Sequence, residues 1–228
     1  MKNLPILFSS PMVRALLREI EQPGTGKTQT RRILTPQPDW DHEVVKTILD
    51  GLVWPIGKYD QQCGGPVKLP PYSVDDRLYV REAWRAETTF DRWKPKDIPA
   101  GNKIECEEDR TFDNARCWGK RRPGMFHPRW ASRITLTVTD VRVQRLQEIS
   151  EEDAIAEGCS PLGPEFLIPG QYLYSDPSKP RTAISATSAY ESLWNSLNAK
   201  RGFGWDVNPW VTAYTFKPIL GNIDEVTK

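Results

Sequence analysis

Ile134, Leu136 and Val138 alternate with Thr135, Thr137 and Thr139, and this period-two run constrains the fold more than any other stretch. Side chains two apart on a strand share a face, so the run predicts a half-buried strand with a sheet beside it and a core beneath it. Asp140 shifts the phase, because Val141 and Val143 carry the apolar positions beyond it. A bulge is expected there, and bulges help a sheet to curl. Trp210 to Phe216 alternates as a closing strand. Leu78 to Glu82 reads as a compact strand after an Asp75-Asp76-Arg77 turn, and Leu4 to Phe8 as a short apolar one.

Helices fall between these strands. Val13, Leu16, Leu17 and Ile20 recur at i, i+3, i+4 and i+7, with Ser10 as the expected cap, Pro11 at the first helical position, and Pro23 and Gly24 as the stop. Tyr190, Leu193, Trp194 and Leu197 mark a second amphipathic helix, ended by Gly202. Ser150 opens a short helix, with Asp153 three residues on, and Gly158 closes it. Val44 to Leu52 reads as one further short helix. The expected class is α+β: a small, curled, mostly antiparallel sheet or barrel with packed helices and long loop insertions. One domain is expected over 1–220, with insertions near 36–74, 85–128 and 160–186 and a flexible tail at 221–228. Val13, Leu16, Leu17, Ile134, Leu136, Val138, Leu193, Trp194, Tyr214 and Phe216 are its expected core.

Charge argues against a globally basic nucleic-acid binder, since 31 Lys and Arg balance 30 Asp and Glu. Any electrostatic footprint is therefore local. The 4 cysteines (Cys63, Cys106, Cys117 and Cys159) form no C-x-x-C pair, and His42 and His127 are the only histidines. That spacing suits free thiols better than a zinc site, so no metal and no cofactor is expected. No apolar run is long enough to span a membrane, and the first ten residues do not read as a signal peptide, so a cytoplasmic protein is expected.

Between the first helix and its following strand lies Gly26-Lys27-Thr28-Gln29-Thr30-Arg31-Arg32, which packs two hydroxyls, an amine and two guanidinium groups into seven residues. In an extended segment Thr28, Thr30 and Arg32 point one way, and Gln29, Arg31 and Ile33 the other. The alternatives are a functional cleft and a solvated polar edge strand. Glu157 closes the short helix at the negative end of its dipole, where a carboxylate is disfavoured; an exposed glutamate is the alternative reading.

A local basic patch comes late in the second insertion. Arg116, Lys120, Arg121, Arg122, Arg129 and Arg133 are interleaved with Trp118 and Trp130, a composition suited to phosphate contact and base stacking. The alternative is that these arginines pair with the acidic cluster Glu105, Glu107, Glu108 and Asp109 before them.

The GKTQTRR run resembles the G-x-K-T-x-T-x-R signature of the ASCH domain, a member of the PUA-like barrel superfamily. DRLYVRE at Asp76 to Glu82, ITLTVTDVRVQRL and WVTAYTFK agree with it in order. PILFSSPMVRALL, PRWASRI and KRGFGWDVNPW resemble the long form carried by phages and prophages. The resemblance implies a PUA-like barrel that recognises RNA or a modified nucleobase or nucleoside. Thr28, Arg31, Arg32, Tyr79 and Arg81 would line the cleft. In small bacterial members it also implies an amidohydrolase that removes an acyl group from the exocyclic amine of cytidine. There the roles would fall on Thr30 as nucleophile, Lys27 as base, and Glu157 as acid or orienting group. A host protein bound by the Trp-rich insertions is a third expectation.

Overall fold

The computed structural model describes residues 1–38, 45–49, 52–56, 67–68, 72–109, 117–161, 174–176 and 179–226. In chain order the strands are β1 (Asn3–Leu7), β2 (Gln29–Ile33), β3 (Val45–Leu49), β4 (Leu52–Ile56), β5 (Val67–Lys68) and β6 (Arg77–Arg81). There follow β7 (Trp84–Ala86), β8 (Ile104–Cys106), β9 (Ile134–Arg145), β10 (Tyr174–Asp176), β11 (Lys179–Ala183) and β12 (Trp210–Leu220). The α-helices among the described residues are α1 (Ser10–Glu21), α2 (Glu151–Ala156) and α3 (Ala186–Asn198).

The architecture is mixed α/β: a five-stranded mixed sheet of order β1-β6-β9-β12-β2 with few helices, and no closed barrel among the described residues. The sheet is not wholly antiparallel, because β1 runs parallel to β6, with Asn3 opposite Arg77 and Leu7 opposite Arg81. Parallel neighbours need a long crossover rather than a hairpin, and residues 8–76 supply one. The chain divides into two compact units, one of residues 1–28, 75–137 and 216–228, the other of residues 29–74 and 138–215. β9 and β12 each contribute to both.

In the first unit α1 buries Met12, Val13, Ala15 and Leu16, the face that the i, i+3, i+4 spacing sets. Leu17 is only half-buried. The cap is Ser9, one residue earlier than expected, which places Pro11 within the first turn and frees the Ser10 hydroxyl to donate to Glu107. Gly221, Asn222 and Ile223, at the start of the expected tail, make contacts within the first unit. The Gly221 N–H donates to the Arg133 carbonyl, the Asn222 amide donates to the carbonyls of Arg129, Trp130 and Ser132, and Ile223 is buried. β7 and β8 pair as a small ribbon, and Trp84, Ala86 and Ile98 pack with Phe90, Ile104 and Trp130 in a local apolar cluster.

In the second unit β12 pairs antiparallel with β2, setting Tyr214 opposite Thr30, Ala213 opposite Arg31 and Thr212 opposite Arg32. The expected helix over Val44 to Leu52 is a correction: β3 and β4 form an antiparallel pair there, closed by Leu49 opposite Leu52. Val45, Thr47 and Ile48 are β-branched, and the intervening Asp50-Gly51 is a strong two-residue hairpin signal. Ser150 caps α2 by accepting from the Asp153 N–H, and Gly158 follows with a φ of 102°. α3 buries Tyr190, Leu193 and Trp194, while Leu197 is exposed. No helix among the described residues is long and apolar enough to cross a membrane.

Candidate functional site

The Gly26–Arg32 stretch is built of buried polar side chains. Lys27 is 1% exposed, Gln29 3%, Thr30 5% and Arg31 5%. A solvated edge strand would leave these groups in water. Burying them is unfavourable unless each meets a partner, so what surrounds each one decides its role.

In the first unit the approach to the stretch is set by Gly26. A Cβ there would lie 2.3 Å from the Ala15 carbonyl oxygen and 2.3 Å from the Glu19 nitrogen, so only glycine lets the chain lie against α1. The Lys27 N–H then donates to the Ala15 carbonyl at 3.0 Å, and its amine sits 5.9 Å from the centre of the Phe8 ring, within cation–π range. The Thr28 carbonyl accepts from the Phe216 N–H at 2.8 Å.

In the second unit alternation along β2 sorts the polar groups onto two faces, as the sequence predicts. On one face Arg31 is clamped by two carboxylates. Its Nη2 donates to Asp153 Oδ2 at 2.6 Å and its Nη1 to Glu157 Oε1 at 3.1 Å. Nη1 also donates to Gln29 Oε1, and Gln29 Nε2 donates to Asp153 Oδ1 and Thr215 Oγ1. The guanidinium lies over the Tyr190 ring, 5.8 Å from its centre. Asp153 and Glu157 are four residues apart, so one side of α2 presents both carboxylates to the same guanidinium.

This clamp changes what its members can do. Burial pushes the Asp153 carboxyl up. Hydrogen bonds from Arg142 and Gln29, with the Arg31 and Arg142 charges, outweigh it and hold Asp153 below the usual carboxylate range. Burial and the Glu157 charge push the Tyr190 phenol well above its ordinary value, so it remains a neutral hydroxyl. Arg31, expected in the cleft wall, has both terminal nitrogens committed inside the chain. Glu157 is buried rather than exposed, and its Oε1 is committed to Arg31.

On the opposite face of β2, Thr30 and Arg32 stand beside Tyr214 and Thr212 of β12. Tyr72 packs edge-on against Tyr214, with ring centres 5.2 Å apart. Tyr214 and Thr212 are fully buried. Burial first, and the neighbouring Tyr72, push the Tyr214 phenol far up, against the smaller opposing effects of its side-chain hydrogen bond with Thr212 and of the Arg32 charge.

Tyr79 and Arg81 lie in the first unit. The guanidiniums of Arg81 and Arg129 lie over the Tyr79 ring, 5.4 and 5.7 Å from its centre, and Arg81 donates to Tyr79 Oη and the Met125 carbonyl.

The residues of the expected basic patch have different surroundings. Arg122 is buried, lies over Trp84 and donates to the Phe90 and Trp93 carbonyls, so it is closed to a phosphate. Arg133 makes two hydrogen bonds to Glu82. Arg129 pairs with Asp224, and Arg121 with Glu107, one of the acidic cluster. Trp130 packs on the Trp84 cluster and Trp118 is half-buried. Lys120 is exposed. Arg116 lies outside the described residues.

Asp153, Gln29, Thr212 and the hydroxyl of Tyr214 are the site groups that sequence reasoning missed. A signal for Asp153 was present: the i, i+4 carboxylates of a short helix preceding Gly158. No family model, no curated protein and no solved structure matches the chain.

Proposed function

We propose that the chain is an ASCH-type, PUA-like module whose Gly26–Arg32 stretch recognises RNA or a modified nucleobase. The observation that carries this reading is the burial of four polar side chains, Lys27, Gln29, Thr30 and Arg31, within five consecutive residues. Such a density of buried hydrogen-bonding groups is unfavourable for a strand whose task is packing alone. It suits a recognition segment in which Gln29 and Arg31, tied to Asp153 and Glu157, hold the strand that carries Thr30 in a fixed position for a polar planar ligand. The Asp153–Arg31–Glu157 clamp supports the reading from below, because it fixes β2 through a side chain on the face opposite Thr30.

The test is a titration of the protein with cytidine, with cytidine acylated on its exocyclic amine, and with short single-stranded RNA. Saturable binding of at least one, weakened by Lys27→Ala and by Thr30→Val, supports the proposal. Absence of binding to all three overturns it. Release of the acyl group in the same experiment would add the hydrolysis that the resemblance implies, with Thr30 as nucleophile, Lys27 as base and Glu157 as orienting carboxylate.

A further inference from the structure

Residues 91–97 of the first unit form a loop that is firmly held and yet leaves a tryptophan in water. Phe90 and Ile98 flank it and anchor it in the Trp84 cluster, where Ile98 is buried and Phe90 packs alongside. The buried Arg122 guanidinium donates to the Phe90 carbonyl at 2.6 Å and to the Trp93 carbonyl at 3.2 Å. The Asp91 carboxylate accepts from the Lys120 N–H at 2.8 Å, and the Asp97 N–H donates to the Lys94 carbonyl at 2.9 Å. The Trp93 ring meets Phe90 edge-on, with centres 5.5 Å apart, and is still 48% exposed. Arg92, Lys94 and Lys96 beside it are exposed, and no ion pair engages them among the described residues. Arg121, Arg129 and Arg133, by contrast, are each paired with a carboxylate.

We infer that the 91–97 loop is a docking surface for a protein segment in which an apolar or aromatic side chain lies beside carboxylates. The inference does not rest on the nucleobase reading given above. Tryptophan and arginine most often dominate binding at protein interfaces, and a loop already fixed loses little entropy on docking. The open part of the Trp93 ring takes the apolar side chain. Arg92 can grip a carboxylate through two parallel N–H bonds, and the lysines add point charges. Local charge decides against a polyanion. Arg92, Lys94, Lys96 and Lys120 are interspersed with Glu87, Asp91 and Asp97, so four cations stand among three carboxylates. An evenly charged nucleic-acid strand or an anionic lipid surface is attracted by the cations and repelled by those carboxylates. A short acidic segment can set its few charges against the cations alone.

A displayed library of random peptides, selected on the wild type and counter-selected on Trp93→Ala protein, tests this. Peptides that pass both steps should carry an apolar or aromatic residue beside two or more Asp or Glu. A labelled synthetic copy should bind at least tenfold more weakly to Trp93→Ala by fluorescence anisotropy. It should lose as much on the double variant Arg92→Glu, Lys94→Glu, which changes exposed groups alone and should keep the wild-type urea midpoint. The double variant takes over the counter-selection if Trp93→Ala fails to fold. The inference is overturned if no peptide separates wild type from variant, or if the selected peptides lack carboxylates. It is also overturned if a thymidine oligonucleotide or phosphatidylserine vesicles bind the wild type more tightly than the peptide does and lose that binding in the double variant, which would assign the loop to a polyanion.

Discussion

Arg31 and Glu157 form a buried ion pair 3.1 Å long, and Asp153 closes on the same guanidinium from one turn earlier on α2. Breaking a buried pair from one side leaves a charge without compensation, typically at a cost of about 3–5 kcal/mol. Arg31→Ala should therefore lower unfolding free energy by about that much in urea, because it strands Glu157 and part of Asp153. Asp153→Asn keeps the shape and should cost less, about 1–3 kcal/mol. Equal stability of Arg31→Ala and wild type would contradict the clamp.

His127 should make the protein acid-sensitive. Burial, then the Arg81 and Arg133 charges, lower its imidazole from 6.5 to about 4, and the ring packs edge-on against Trp84. Between those two values the unfolded chain binds a proton that the folded one refuses. Stability is therefore fully present above 6.5, falls as pH drops toward about 4, and levels off for this group below that. The gap corresponds to about 3 kcal/mol. The His127 ring proton, followed by NMR, should show no protonation until near pH 4. A midpoint at the ordinary histidine value would contradict the burial argument.

Asp153 contributes in a lower window. Its folded carboxyl sits below the usual range, so its contribution is present above about pH 4 and is lost as pH falls through the depressed value. Asp153→Asn should flatten the acid limb of stability against pH, measured by urea midpoints below about pH 4. An unchanged limb would show that the Arg142 and Gln29 hydrogen bonds do not act on the carboxylate.

Gly26→Ala should destabilise the protein more than its exposed neighbour Gly24→Ala. The added methyl at residue 26 meets α1 backbone at 2.3 Å, whereas at residue 24 nothing lies within 4 Å and the cost is that of a positive φ alone. Overpacking of this kind costs about 1–3 kcal/mol. Thermal melts of the two variants check the order.

Much of the fold can be read from period and caps. β9 and β12 follow from alternation, α1 from its apolar spacing, and the two faces of β2 from the pleat. Reading failed where a long-range partner decides the outcome. Thr135 is buried although the alternation puts it on the polar face, because its hydroxyl donates to the Gly221 carbonyl, 86 residues away. The partners of the basic patch are hidden for the same reason: each arginine is a charge in sequence, but Arg122, Arg129 and Arg133 meet carbonyls or carboxylates distant in the chain. The Arg31 clamp is a 122-residue contact, which no window of sequence could show. The hairpin of β3 and β4 is a different failure, since Asp50-Gly51 and the β-branched residues beside it were visible all along.

The most direct measurement of the account is the affinity of the protein and of its Lys27→Ala variant for cytidine, its acylated form and single-stranded RNA, by calorimetric titration at fixed salt. The account predicts saturable binding of at least one of these by the wild type, and a loss of at least tenfold in the variant with its melting curve still cooperative. Equal binding by wild type and variant, or no binding by either, would contradict it.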